Sequence, residues 1–428
     1  MTENEFREAL WAGLGRAMIY ARDHDMRPFR EVILDACLHC HANDPQCEGT
    51  RAGFMLELVE QLPDSHFYCD QVLESLPNGG DDWDTVQRFH FATYMAMDGD
   101  VRAKQAVYAN FRPGPQNAES IGIDFVRLDG LAGFVFAAER IGELLMSDSK
   151  PADVGWLVSH TQETFGEEVT LTALRQAAMT NPKVEAYRAV AELQLEPRKP
   201  EPRIRVHDLT YLELKQAQPT SNRFQGATWG ERTDPENLKL AAHGLLLASA
   251  SEEIVWHLRI FSRRPFPLDP AMILGWARSA DERVASAATL ALESITHPTV
   301  RQHALELWTT GDPARHHAIA MLASNFEPGD HAMALDWFAQ EPDRDFRHWL
   351  GMDLKKLWER HPQPATEVRM LLSLYERQVC SECREYALQR LVELDALPEA
   401  IRAECRFDAS HDIRQMVGGE CLRPSPVD

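Results

Sequence analysis

Five short segments in the second half of the chain share a pattern, and their spacing restricts the fold more than any other feature. They are DERVASAA at 281–288, DPARHHA at 312–318, DFRHWL at 345–350, CREYA at 383–387 and DIRQMV at 412–417. Aligned on positions 285, 315, 347, 384 and 414, they recur every 30, 32, 37 and 30 residues. Two helices and two turns need about that much chain. A helix pair of this size cannot bury its apolar stripe alone, so each pair must stack on its neighbours, and the second helices then build an extended surface.

The punctuating Asp, the Val, Arg and Ala of the inner helix, and helices in the intervals such as HPTVRQHAL at 297–305 resemble the HEAT-like or armadillo-like helical repeat family over roughly residues 235–420. Two departures stand out: Ala285 replaces the arginine, and one interval is 37 residues long. The resemblance implies an all-α solenoid with a concave, macromolecule-binding face. Arg301, Arg315, Arg347, Arg384 and Arg414 then have two readings. They form an inter-repeat ladder with neighbouring acids, or they line the groove as a basic strip.

The first half reads as an acidic all-helical domain over 1–195. Thr2 and Glu5 have capping-box spacing ahead of Phe6, Leu10, Leu14 and Ala17. Asp44-Pro45, the PNGG run from Pro77 and the PGP run from Pro113 mark breaks. Ile121–Phe136 carries Gly122, Gly130 and Gly133, which read as tight packing in a short extended piece that feeds a buried helix. Periodicity fails over 196–236, which reads as a proline-rich connector followed by a long loop. That loop offers Phe224, Trp229 and Arg232 as binding residues. The repeat domain then spans 237–421, and 422–428 is a tail.

Formal charge is −22 at neutral pH. The densest acidic run, Asp64 to Asp100, has Arg88 as its only Lys or Arg. Such a chain is repelled by phosphate backbones and anionic lipid, so nucleic acid and membrane partners are not expected, whereas a basic protein partner is. The N-terminus lacks the basic and apolar regions of a signal peptide, no apolar run reaches the ~18 residues of a spanning helix, and a cytoplasmic location is expected.

Eight cysteines, Cys37, Cys40, Cys47, Cys69, Cys380, Cys383, Cys405 and Cys421, are expected to be reduced thiols. Cys37, Cys40, His41 and Cys47 have metal-ligand residue types, and CLHCH matches a haem-attachment pattern. However, Phe29, Val32, Ile33, Ala36, Cys37 and Cys40 fall on one helical stripe, so the thiols read as small buried hydrophobes. The same holds for Cys380 and Cys383 with Ala387, Leu388 and Leu391. Asp81, Asp82 and Asp84 read as a helix start rather than a cation site. His316 and His317, adjacent on a helix, point about 100° apart and share a metal poorly. Phosphate loop, dinucleotide fingerprint, nucleophile elbow and zinc-helix motifs are missing from the sequence. No cofactor and no catalytic residue is therefore expected. The leading expectation is a non-catalytic scaffold, adaptor or regulator that binds a protein along the repeat surface. The alternative is a HEAT-like enzyme acting on nucleic acid or a tetrapyrrole, after the alkylpurine DNA glycosylases and phycobilin lyase subunits of that fold.

Overall fold

The computed structural model describes residues 1–80, 82–147, 154–195, 208–217 and 226–419. Every regular element among them is helical, so the all-α class holds. The chain divides into two compact units: Met1–Lys199 with Val379–Asp428, and Pro200–Gln378.

In the first unit, local signals set the helix ends. Thr2 accepts from the Glu5 amide while Glu5 accepts from the Thr2 amide at 2.7 Å, which closes the capping box that starts Glu3–Ala12. Gly13, at φ 73°, stops that helix. Trp83–Met97 is the central helix, capped by Asp82 and buried along most of its length against its neighbours. Ile121–Phe136 departs from the expected extended piece. It belongs to two helices, Ala118–Asp129 and Leu131–Leu145, which reverse at Gly130 with φ 58°. Their close crossing depends on Gly133, where a Cβ would lie 1.7 Å from the Phe125 carbonyl oxygen. That contact is backbone and cannot swing aside. Gly133→Ala is expected to lower stability by about 3 kcal/mol in urea titration. Gly275→Ala, in an open helical position of the second unit, should be neutral or slightly stabilising.

The C-terminal segment joins the first unit through charged side chains. Arg384 pairs with Asp408 at 3.0 Å, both wholly buried, and also donates to the Val379 carbonyl. Arg414 donates to both oxygens of Glu57 and to the Asp408 carbonyl. Arg16 pairs with Glu404 at 2.7 Å, and Ala409 donates to the Gly13 carbonyl. The unit boundaries fall after Lys199 and after Gln378, so Val379–Asp428 is grouped with the N-terminal segment. Helices that begin with an arginine-bearing turn look alike in sequence whichever neighbour they pack on.

The second unit is a series of helical hairpins. They are Pro235–Leu247 with Ser251–Ile260, Ala271–Ala277 with Glu282–Leu292, Pro298–Thr310 with Ala318–Ser324 after the turn Pro313–His317, and Asp330–Gln340 with Arg344–Arg360; Pro364–Arg377 follows. Second helices pack in chain order: Gly226–Arg232 on Ser251–Ile260, that on Glu282–Leu292, and Ala318–Ser324 on Arg344–Arg360, with the turn Pro313–His317 touching both Glu282–Leu292 and Arg344–Arg360. Asp281, Asp312 and Asp343 start these elements by accepting backbone amides, as punctuating residues should. The expected connector and loop over 196–236 contains two helices, Tyr211–Ala217 and Gly226–Arg232. Each is seven residues long, too short to establish a period.

Candidate functional site

The five aligned positions and Arg301 do not form one basic strip. Arg301 makes a two-pronged pair with Asp330 at 2.6 and 2.8 Å and also reaches Glu327. Arg315 pairs with Glu341 at 3.1 Å and covers the Phe346 ring. Arg347 is buried and donates to the Glu341 carbonyl. The Arg301 and Arg315 contacts join consecutive hairpins of the second unit, whereas the Arg347 bond lies within the hairpin of Asp330–Gln340 and Arg344–Arg360. Arg384 and Arg414 are buried in the first unit, as described above. Trp229 is a core residue rather than a loop anchor: it is wholly buried and its Nε1 donates to the Leu209 carbonyl at 2.8 Å. Gly230 permits the close packing of Gly226–Arg232 on Ser251–Ile260, because a Cβ there would meet the Ile260 carbonyl oxygen at 1.9 Å. Arg232 is exposed, and Phe224 lies outside the described residues.

A different set of cations faces a groove of about 720 Å³ at the C-terminal ends of the second helices. Arg259, Arg263, Lys356 and Arg360 line it together with Glu231 and Glu293. All four cations are exposed. Lysine and arginine are favoured in last helical turns because they offset the carbonyl end of the helix, by about 0.3–1 kcal/mol each. Here Arg259 and Arg360 occupy the last turns of Ser251–Ile260 and Arg344–Arg360, and Arg263, just beyond the first helix, and Lys356, one turn before the end of the second, add to the positive charge. Arg263 lies 3.9 Å from Glu231, and Lys356 pairs with Asp353 at 2.8 Å. Arg259 and Arg360 have no carboxylate partner among the described residues; Arg360 donates to the Ser324 hydroxyl.

Behind the groove, His317 Nδ1 bonds Glu293, and the Ser324 hydroxyl donates to the Glu293 carbonyl. Asp353 is buried, and burial raises its carboxyl to about 6 despite Lys356. The sequence signal for this site is the spacing Arg259/Arg263 and Lys356/Arg360, each i, i+4 at a helix end. The aligned positions drew attention to the first turns, and the groove lies at the last ones. A second cleft of about 670 Å³ carries Arg278, Glu282, Glu306, Asp312, His303 and His316, with no excess of cations.

The first unit holds a buried polar pair. His90 Nε2 lies 3.7 Å from Asp124, with the Thr50 hydroxyl on His90 Nδ1 and Arg127 3.8 Å from Asp124. Burial drives both toward neutrality, lowering His90 to about 3 and raising Asp124 to about 7. Cys37 is buried in a core helix and its thiol is pushed up by burial. His41 turns to Asp35 at 2.9 Å and stacks on Trp11. Asp82 caps its helix and Asp84 accepts from the Cys40 amide; Asp81 lies outside the described residues.

What fold and site define together is a helical protein with a cationic groove at the ends of stacked hairpins. No protein-family model matches the sequence, and comparison with curated proteins and with solved structures gives no match. Among the described residues no helix is long and apolar enough to cross a membrane.

Proposed function

We propose that this chain is a non-catalytic, HEAT-like binding protein whose second unit receives a short acidic segment of a protein partner in the groove of Arg259, Arg263, Lys356 and Arg360. One observation carries the reading: four exposed cations against two lining acids, in a chain of formal charge −22. At physiological salt the screening length is about 8 Å, so a segment seated in the groove responds to its cations rather than to the charge of the whole chain. Four cations can neutralise only a short anionic segment, whereas the affinity of a long polyanion scales with the number of phosphates paired. This favours a peptide over nucleic acid, and it replaces the basic partner that overall charge alone suggests. Arg259 and Arg360 would receive carboxylates, and arginine's planar fork suits them.

Fluorescence anisotropy with a labelled peptide rich in Asp and Glu tests this, beside a Lys-rich peptide and a single-stranded oligonucleotide. The acidic peptide is expected to bind and to weaken as salt rises. Arg259→Glu with Arg360→Glu should weaken it at least about tenfold, ~1.4 kcal/mol. Preferential binding of the Lys-rich peptide or the oligonucleotide would overturn the reading.

A further inference from the structure

We infer that the cleft beside Ala285 binds a small guanidinium compound, whose planar cation takes the place of the arginine missing at that aligned position. Arg315, the aligned residue one hairpin on, shows what such a side chain does. From the turn Pro313–His317 it crosses to Glu341 at 3.1 Å, two residues ahead of the cap Asp343 of the next second helix, and it lies over the Phe346 ring. It thereby joins two hairpins and fills the space between them. Ala285 stands in the first turn after the cap Asp281, and its side chain ends at Cβ.

The space left over is a cleft of about 670 Å³, within the roughly 300–1,000 Å³ of small-molecule sites. Ala285 lines one side, and Thr310, Asp312 and Pro313, from the turn that leads to the next second element, line the other. All of these residues belong to the second unit. The cleft shares no lining residue with the cationic groove, so the two sites stand or fall separately.

Three carboxylates face the cleft, on Glu282, Glu306 and Asp312, and Arg278 is the one Lys or Arg in its lining. Arg278 pairs with Glu306 at 3.1 Å. Glu282 makes no ion pair among the described residues. Asp312 uses Oδ1 to accept the Ala314 amide at 2.7 Å, leaving Oδ2. Exposed carboxylates alone are well served by water, and a buried histidine adds the independent sign of a ligand. His303 lines the same cleft, is 5% exposed, and its Nε2 has no hydrogen-bond partner among the described residues. Native proteins seldom bury a nitrogen in that state without a use for it. Burial, with Arg278 nearby, lowers the pKa of His303, so the ring is uncharged at neutral pH. With its proton on Nδ1, Nε2 accepts a hydrogen bond. An alkylguanidinium directs five N–H groups from one plane and can serve carboxylates and an imidazole together. An ammonium is a compact point charge that lacks this fork. Leu307 and the Ala285 methyl offer an apolar wall to the alkyl stem.

The test is calorimetric titration of the full chain with agmatine, a guanidinium on a four-carbon stem, and with putrescine, which carries an ammonium in its place. Agmatine is expected to bind at one equivalent, and putrescine at least about fivefold more weakly. Glu282→Gln and Asp312→Asn should each weaken agmatine at least about threefold; asparagine keeps the cap, so the turn is retained. Ala285→Arg supplies the guanidinium from the chain itself and should abolish agmatine binding while raising the Tm. No heat of binding up to about 10 mM agmatine would overturn the site. So would equal affinity for putrescine, or affinity unchanged in Glu282→Gln and Asp312→Asn. Tighter binding of an acetylated Gly-Arg-Gly amide would give the guanidinium to a protein side chain and overturn the small-molecule assignment.

Discussion

Asp124→Asn is expected to make the stability of the protein fall, relative to wild type, by about 1.4 kcal/mol for each pH unit of acidification between roughly pH 6.5 and pH 4. In that window the unfolded chain carries an ionised Asp124 and a protonated His90, from ordinary values of 3.8 and 6.5. The folded protein holds both neutral. Each state then binds one proton, so the wild-type pair adds no slope. With asparagine at 124, only His90 titrates differently. Its folded pKa is depressed, so its stabilisation is present above pH 6.5 and is lost as pH falls toward 3. His90→Gln leaves Asp124, whose folded pKa is raised. That contribution is present below pH 3.8 and is lost as pH rises toward 7. Opposite slopes in the two variants, each worth about 3.5 kcal/mol across the window, are the signature, read by urea unfolding at several pH values. Parallel curves for both variants and wild type would show that the pair does not share a neutral state.

Asp408→Ala should be the most damaging single truncation at constant pH, at about 3–5 kcal/mol, because it strips a fully buried guanidinium of its carboxylate. The replacement of both partners, Arg384→Met with Asp408→Leu, should cost much less, since the desolvation of two ions disappears along with their attraction. A double-mutant cycle in denaturant separates these effects. Equal losses from the single and double replacements would mean that the pair acts only through its shape.

Both results concern contacts that the sequence does not reveal. What could be read was local. Thr2 with Glu5, Asp281 and Asp312 announce helix starts because a cap needs only three or four residues of chain, and each acts as a cap in the structure. The all-helical class followed from that density of starts and from apolar spacing. The recurrence at 30 to 37 residues singled out segments that mostly carry an arginine, and Arg315 does tie hairpin to hairpin, as does Arg301 from the interval between two of them. It could not indicate that Arg384 and Arg414 bind Asp408 and Glu57, the latter separated by 357 positions. Charge pairing of that kind is decided by packing. The groove was half legible: Arg259/Arg263 and Lys356/Arg360 are visible spacings, but their convergence depends on hairpins stacking in register.

The division of the first unit into Met1–Lys199 and Val379–Asp428 has a consequence for synthesis. A ribosome releases the first segment, then all of Pro200–Gln378, before Ser381, Arg384 and Arg414 emerge. At ~5–20 residues per second the interval is roughly 10–40 s. Throughout it Glu48 and Glu57 await their partners, and the surface that the last helices cover is open to chaperones. The intervening unit is continuous in sequence and can close during that delay. Birth order therefore favours the hairpin array maturing first, with the domain that contains the N-terminus finishing last.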